Sequence, residues 1–318
     1  MFTNFKDNLN EFGSSKEPFL FLISYDLKKI YIEKLDNLSQ NIKFEINSEN
    51  KNNIKDYTLK KYPISFDEYK IKFDLIQDEI KNGNSYLLNL TTKTKIDANL
   101  TLDEIYEAAS SLLKLRVKIG DLDFVCFSPE KFIDIKDNKI YTYPMKGTID
   151  TNLDDAKNIL LNSKKELAEH TMVVDLLRND LGKVAKNIKV EKFRSFSKII
   201  TKYRELFQTS SIISGDLEDN WQEKIGDILL NILPAGSITG TPKKSTIEIL
   251  KNIENYDRGF YSGIFGIFDG INLQSFVLIR FIENINNELF YKSGGGITSD
   301  SIAKEEYEEL LNKVYLPF

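Results

Sequence analysis

The stretch LDFVCFSPEKFIDIKDNKIYTY, residues 122–143, contains three short strand patterns in direct succession. The runs 122–128, 131–136 and 139–143 are rich in apolar residues and are separated by polar or proline-containing turns. Strands that arrive in consecutive runs, rather than in strict alternation with helices, favour an α+β sheet assembly over a doubly wound parallel sheet.

The rest of the chain also predicts strands and helices, and its sequence shows no internal repeat. Residues 18–32 predict two strands, and the polar residues 35–62 predict a loose connection. Further strands are predicted at 85–93, 188–199, 205–214, 259–268, 273–284 and 288–293, and helices at 66–82, 102–114, 153–161, 164–185, 221–231, 242–254 and 301–314.

Composition excludes several classes of function. The 318 residues include 43 Lys and Arg against 48 Asp and Glu, so no clustered basic surplus indicates nucleic-acid binding. A single cysteine, Cys126, and a single histidine, His170, exclude a disulfide framework and a cysteine- or histidine-rich metal site. The N-terminus carries neither a secretion signal nor an anchor pattern, so we expect a cytoplasmic protein without a membrane partner.

Two predicted helices each carry an E-x-x-E pair, Glu166 with Glu169 and Glu306 with Glu309. Spacing of three places both carboxylates of a pair on one helix face. Four carboxylates suit a hard cation such as Mg²⁺. The alternative is that these are ordinary glutamates on solvated helix faces.

The first pair precedes a run that is apolar on nearly every side, AEHTMVVDLLRNDLGKVA. A helix that is apolar all round is buried, so this one is expected to cross the core and deliver Glu166 and Glu169 to an interior cleft. The alternative is a structural pair between Asp175 and Arg178, with both glutamates exposed.

Two further segments are candidates for chemistry. Gly294, Gly295 and Gly296 stand between a predicted strand and a predicted helix, where bare amides can face a carboxylate or phosphate; a tight turn is the alternative. Lys146, in YPMKGT, becomes a nucleophile only if its surroundings favour the neutral amine.

Together these segments resemble the chorismate-utilising enzymes, which include anthranilate synthase, aminodeoxychorismate synthase, isochorismate synthase and salicylate synthase. The matching motifs occur in the family's order: GNSYLLNLT (83–91), FSPEKF (127–132), PMKGT (144–148), KELAEHTMVVDLLRNDLGKV (165–184), AGSITGTPK (235–243), SGIFG (262–266), LIR (278–280) and SGGGITSDSIAKEEYEE (293–309). The resemblance implies one chorismate-binding domain with two stacked, mainly antiparallel sheets flanked by helices in four α/β/β/α layers.

Site residues follow from the resemblance position by position. It implies that the four glutamates surround a Mg²⁺ that holds the ring carboxylate of chorismate. It implies that Arg280 and the amides of Gly295 and Gly296 receive the substrate's carboxylates. It also implies substrate contacts for Gly294, Thr148, Ser237, Gln208 and Gly263.

Within the family, lysine at position 146 points to the aminodeoxychorismate branch. The implied reaction converts chorismate and ammonia into 4-amino-4-deoxychorismate, a folate precursor, with Lys146 as nucleophile and Glu130 as the acid that protonates the leaving hydroxyl. Leu87 stands where relatives have glutamine or lysine, and Gln208 where many have histidine. Leu87 cannot activate water, which argues against isochorismate synthesis.

The resemblance implies a catalytic core at 63–318 and a shortened N-terminal segment at 1–62, without feedback by tryptophan. The chain has no cysteine-based glutaminase site, so ammonia is expected from solution or from a glutamine amidotransferase subunit. Two alternatives remain open: anthranilate synthase component I, and a non-catalytic protein that binds chorismate or the amidotransferase.

Overall fold

A computed structural model describes residues 2–48, 56–200 and 205–318 of the chain. The helices within these ranges are α1 Phe2–Ser14, α2 Phe66–Lys81, α3 Leu102–Ala108, α4 Ala156–Asn162, α5 Lys164–Leu181, α6 Ile225–Ile232, α7 Lys243–Glu254 and α8 Ala303–Asn312. The strands are β1 Phe19–Ile23, β2 Ile30–Lys34, β3 Ile42–Ile46, β4 Leu59–Tyr62, β5 Leu87–Ala98, β6 Leu113–Ile119, β7 Leu122–Ser128, β8 Lys131–Lys136, β9 Lys139–Thr142, β10 Met145–Asp150, β11 Lys186–Ile200, β12 Glu205–Asp216, β13 Gly240–Thr241, β14 Ile264–Phe268, β15 Leu273–Val277, β16 Phe281–Ile285 and β17 Glu288–Ile297. No described helix combines the length and apolar character needed to span a bilayer.

The strands form two antiparallel sheets. The first has the order β10-β12-β9-β8-β15-β14-β1-β2, with β11 beside β12. The second has the order β13-β5-β17-β16-β7-β6-β3, with β4 beside β5. The segment 122–143 contributes β7 to the second sheet and β8 and β9 to the first, so its three consecutive strands connect the two sheets.

Alternating side chains of β1 define the layers. Leu20 and Leu22 pack with Leu115 of β6 in the core between the sheets. Phe19 and Phe21 point the other way, into a core shared with α1, α5 and α6. The outer face of the second sheet is covered by α2, α7 and α8 in one region and by α3 in another. The predicted α+β fold with two stacked sheets flanked by helices is therefore confirmed.

Several predicted elements need correction. The helix predicted over 102–114 ends at Ala108, and β6 begins at Leu113. Leu113, Leu115 and Val117 alternate along this strand and all point into the core, a period that belongs to a strand rather than a helix. The predicted loose connection at 35–62 contains β3 and β4, while residues 49–55 of it lie outside the described residues.

The composition of α5 predicts a helix that is buried on all sides, but one face of this helix is exposed. Leu167, Asp175 and Arg178 lie on an exposed face, and the Asp175–Arg178 ion pair at 3.2 Å is a surface pair. The opposite face, with Val173 and Leu177, packs in the core. Glu166 and Glu169 are half-buried near the start of the helix, so α5 borders the core rather than crossing it.

The stretch 273–284, predicted as one strand, contains β15 in the first sheet and β16 in the second. Residues 278–280 connect the sheets, and Arg280 has a φ of 54°, which redirects the chain. Arg280 is thereby placed where the two sheets meet.

Candidate active site

Lys146 lies in β10 and faces α5. Its Nζ is 3.6 Å from Oε2 of Glu169. On another side, a Cβ placed on Gly296 of β17 would lie 3.3 Å from Lys146 Nζ and 3.1 Å from Leu87 Cδ1. The amine, the glycine strand and the buried Leu87 therefore meet at one point, and a side chain at 296 would press against both Leu87 and Lys146.

The backbone around Lys146 is held from β12. Thr209 donates its hydroxyl hydrogen bond to the carbonyl of Lys146, and the backbone N–H of Ser211 donates to the carbonyl of Pro144 at 2.9 Å. Gly147 has a φ of +82°, and a Cβ on it would lie 2.9 Å from Glu166 Oε2. Glycine thus allows β10 to approach the start of α5 closely.

The two E-x-x-E pairs approach the site from different helices. Ser163 caps α5 by accepting the N–H of Glu166 at 3.2 Å, which fixes the turn that carries the first pair. On α8, Glu306 accepts a hydrogen bond from Ser301 at 2.8 Å, and Glu309 pairs with Lys313 at 2.6 Å.

Electrostatics show that these carboxylates lie close to one another. Burial, and then the charge of Glu169, raise the pKa of Glu166. Burial also raises the pKa of Glu306, against the hydrogen bond from Ser301 and with help from Glu309. For Glu309, burial acts upward, but the neighbouring Lys313 outweighs it and lowers the pKa.

The carboxylates share their site with ammonium groups rather than surrounding a preformed cation position. Lys146 contacts Glu169, and Lys313 contacts Glu309. Among the described residues, no group of three or more histidine, cysteine, aspartate or glutamate side chains has the geometry to hold a metal ion.

The glycine triplet lies inside β17, not between a strand and a helix as its sequence predicts. Gly294, Gly295 and Gly296 are opposite Thr91, Leu90 and Asn89 of β5. The N–H groups of Thr91 and Asn89 donate away from β17, to Glu254 at 2.8 Å and to the Thr239 carbonyl at 3.0 Å.

In an antiparallel ladder, residues opposite such non-bonded positions also point their backbone groups away from the partner strand. Strand β16 pairs with β17 only as far as Phe281, which lies opposite Lys292. The N–H groups of Gly294 and Gly296 therefore point toward the edge of β17 that lies beyond this last pair. Gly295 pairs with Leu90 instead. The amides that point away from β5 are therefore those of Gly294 and Gly296, rather than those of the adjacent Gly295 and Gly296.

Glu130 lies between β7 and β8. Its Oε1 accepts a hydrogen bond from Ser237 at 2.6 Å, and Ser237 belongs to a short 3-10 turn at Gly236–Ile238. Burial raises the pKa of Glu130, while Ser237 and the charges of Lys146 and Arg280 act in the opposite direction. Ser237 is thus a partner of this carboxyl group.

Arg280 is surrounded by tyrosines, which sequence reasoning missed. Its Nε donates to the Tyr315 hydroxyl at 3.4 Å, and its charge acts on Tyr291 and Tyr261. The Tyr291 side chain is fully buried beside it. Within the described residues, Arg280 pairs with no carboxylate. These residues come from separate segments, so no local motif could reveal them.

Thr148 and Gln208 form no side-chain hydrogen bond with Lys146 among the described residues. Thr148 is exposed and lies opposite Gln208 in the β10–β12 ladder. Gly263 is buried, and a Cβ on it would lie 2.2 Å from the carbonyl oxygen of Ile23, so close strand packing requires glycine there. His170 is fully buried, with Nε2 2.6 Å from the Ser211 hydroxyl, and burial lowers its pKa to about 4.

A family model described as chorismate binding enzyme matches residues 11–317. The chain belongs to this family. The match reaches beyond the motifs, which begin at residue 83.

The matching curated relatives include a protein of similar length and two longer proteins. A protein of Haemophilus influenzae named as an uncharacterized PabA-like protein is 48% identical over 99% of this chain and 96% of its own length. Aminodeoxychorismate synthase component 1 of Bacillus subtilis is 33% identical over 80% of this chain and 55% of its own length. Anthranilate synthase component 1 3 of Haloarcula marismortui is 31% identical over 75% of this chain and 48% of its own.

Solved structures support the fold. Anthranilate synthase component I from Streptococcus pneumoniae has a TM-score of 0.69 at 25% identity, covering 80% of this chain and 58% of that one. The isochorismate synthase MenF of Escherichia coli has a TM-score of 0.73 at 16% identity, covering 98% of this chain and 80% of that one. At 16% identity the MenF likeness concerns the fold alone.

Proposed function

We propose that this chorismate-binding enzyme aminates chorismate to 4-amino-4-deoxychorismate, a precursor of p-aminobenzoate and folate. The observation that carries the proposal is the position of Lys146, whose amine lies beside Glu169, Gly296 and Leu87. A lysine nucleophile is activated by removal from water, and the Lys146 side chain is only 26% exposed.

In the proposed reaction, the Lys146 amine forms a bond to C2 of chorismate, both conjugated ring double bonds shift (C1=C2 to C1=C6 and C5=C6 to C4=C5), and the 4-hydroxyl leaves as water with a proton from Glu130. Ammonia then adds at C4, and the reverse shift expels the lysine amine. The net change is chorismate plus ammonia giving 4-amino-4-deoxychorismate plus water. The raised pKa of Glu130 supports its role, because the acid must be protonated when the hydroxyl leaves.

The glutamates fit a Mg²⁺ ion in their chemistry. They offer only oxygen ligands, and the repulsion by Glu169 that, after burial, raises the pKa of Glu166 would be relieved by a divalent cation. Glu166, Glu169, Glu306 and Glu309 would hold the ion, with Glu169 and Glu309 exchanging their lysine partners for it. When bound, Mg²⁺ supplies a positive charge that holds the ring carboxylate.

The second substrate carboxylate is assigned to Arg280. Its guanidinium has no carboxylate partner among the described residues and lies beside the hydroxyls of Tyr315 and Tyr291. A carboxylate bound there would accept charge-assisted hydrogen bonds. The free-edge N–H of Gly296 would add a backbone donor, and Thr148, Gln208 and Gly263 remain proposed contacts from the resemblance.

Leu87 supports amination over hydration. It is 3% exposed and lies against the glycine strand beside Lys146, so it presents no group that could activate water there.

We propose that a glutamine amidotransferase subunit supplies the ammonia in the cytoplasm. We also propose that residues 1–62 pack on a catalytic core at 63–318. The pairings of β1 with β14 and of β3 with β6 support this packing.

The test is incubation of the purified protein with chorismate, Mg²⁺ and ammonium at mildly alkaline pH, with products resolved by mass and ultraviolet spectrum. The proposal expects 4-amino-4-deoxychorismate without pyruvate release, and loss of product in Lys146→Ala. Lys198→Ala, at an exposed lysine paired with Glu205, is the control and keeps activity. Anthranilate and pyruvate would indicate anthranilate synthase instead, and unchanged chorismate would indicate a binding protein.

A further inference from the structure

Strand β11 contains a bulge that faces the start of α5. Lys192 pairs with Ile212 and Ser195 with Ser210, so Phe193 and Arg194 together lie opposite the single residue Ser211. Arg194 has a φ of +47°, a strained conformation for a residue with a long side chain. Such strain persists only where surrounding contacts hold it in place.

The Arg194 side chain holds the end of α4. Its two terminal nitrogens donate to the carbonyl oxygens of Leu161 at 3.0 Å and Leu160 at 2.9 Å. These carbonyls belong to the last turn of α4, where a positive charge also complements the helix dipole. The next residues include Ser163, which caps α5 and fixes the N–H of Glu166.

The Arg194 backbone holds the second turn of α5. Its N–H donates to the Ser211 hydroxyl at 3.0 Å, and this hydroxyl lies 2.6 Å from Nε2 of His170. His170 directly follows Glu169. The backbone N–H of Ser211 also donates to the Pro144 carbonyl, two residues before Lys146. Arg194 is thus connected to positions on both sides of the Glu166–Glu169 pair.

We propose that Arg194 is a positioning residue, whose bulge and guanidinium fix the first two turns of α5 and so place the Glu166 and Glu169 carboxylates against Lys146. The inference rests on the proposed cation-binding function of those glutamates. It assigns Arg194 no contact with substrate, because the residue acts through α4, Ser211 and His170.

The test compares full-length wild type with Arg194→Asn, Arg194→Lys and Lys192→Asn. Asparagine tolerates the left-handed conformation but lacks the guanidinium. Arg194→Asn therefore tests the loss of the two side-chain hydrogen bonds separately from the strain of the backbone. Lysine keeps the charge and can reach one carbonyl. Lys192→Asn removes an exposed charge two residues away on the same strand. The readouts are hydrogen exchange of peptides covering residues 160–170 without metal, and Mg²⁺ affinity by calorimetry.

Arg194→Asn should exchange about 10-fold faster over residues 160–170 and bind Mg²⁺ about 10-fold more weakly, as is usual when support of a metal ligand is lost. Arg194→Lys should be intermediate and Lys192→Asn should match wild type. Unchanged exchange, or unchanged Mg²⁺ affinity in Arg194→Asn, would overturn the proposal. If wild type itself binds no Mg²⁺, the proposed function fails, while the exchange comparison still decides whether Arg194 fixes α5.

Discussion

At the scale of single residues, the site depends on how neighbours set the protonation of Glu130. Burial favours its neutral form, and the hydrogen bond from Ser237 favours the ionised form. As the acid for the leaving hydroxyl, Glu130 must carry its proton, so the reaction should slow as pH rises through the raised pKa of Glu130.

Ser237→Ala removes the donor that stabilises the ionised carboxylate, so the pKa of Glu130 should rise further. The alkaline limb of the kcat profile should therefore move to higher pH. Glu130→Gln should lose this limb and lower kcat by roughly 100-fold or more, a typical contribution of general acid catalysis. The measurement is the pH dependence of kcat for the three proteins; an alkaline limb that stays in place in Ser237→Ala would contradict the role of Glu130.

At this scale, sequence reasoning identified residues that the structure places near one another, and their roles stay predictions. Lys146 and the glutamate pairs each lie on one element, and the structure brings them to one site. It failed for Tyr261, Tyr291 and Tyr315, which meet at Arg280 only because three separate segments converge there. Local sequence contains no signal for such long-range contacts.

At the scale of elements, the site depends on the close approach of β10 to α5. Gly147 makes this approach possible, since a Cβ there would contact both Glu166 and Leu160. The glycine triplet is predicted between a strand and a helix, but it lies inside β17. A run without side chains carries no periodicity, so only the pairing of β17 with β5 reveals that it continues the strand.

Gly147→Ala should therefore impair the reaction by roughly 100-fold, because small misplacements of catalytic groups have effects of that order. Gly83→Ala is a matched control: its φ is +76°, but a Cβ there has nothing within 4 Å. Both variants should lose about 1–2 kcal/mol of stability from backbone strain. Chemical denaturation and steady-state kinetics measure the two effects, and equal activity in both variants would refute the importance of the β10–α5 approach.

At the scale of the whole molecule, the layers are tied together by a buried ion pair. Arg258 binds Glu254 through two hydrogen bonds, at 2.8 and 2.5 Å, and donates to the carbonyls of Ile238 and Asn89. It thereby links α7, the turn that carries Ser237, and β5 behind the glycine strand. The α+β class could be predicted from consecutive strands, but the order of strands could not, because pairing joins segments far apart in the chain.

Arg258→Met should destabilise the protein by about 3–5 kcal/mol, because it leaves the Glu254 carboxylate buried without its partner. The two side chains are only 2% and 4% exposed. Arg178→Met breaks the exposed pair with Asp175 and should change stability by no more than about 0.5–1 kcal/mol. Urea unfolding of both variants measures the difference, and similar losses would show that Arg258 is not a structural centre.

Intact-protein mass spectrometry after mixing with chorismate and Mg²⁺, in the absence of ammonium, directly tests whether Lys146 is the nucleophile. We predict an adduct on Lys146 with the mass of chorismate less one water, absent in Lys146→Ala and discharged by ammonium as 4-amino-4-deoxychorismate. Formation of that product by Lys146→Ala at the wild-type rate, or of anthranilate and pyruvate without any adduct, would contradict it.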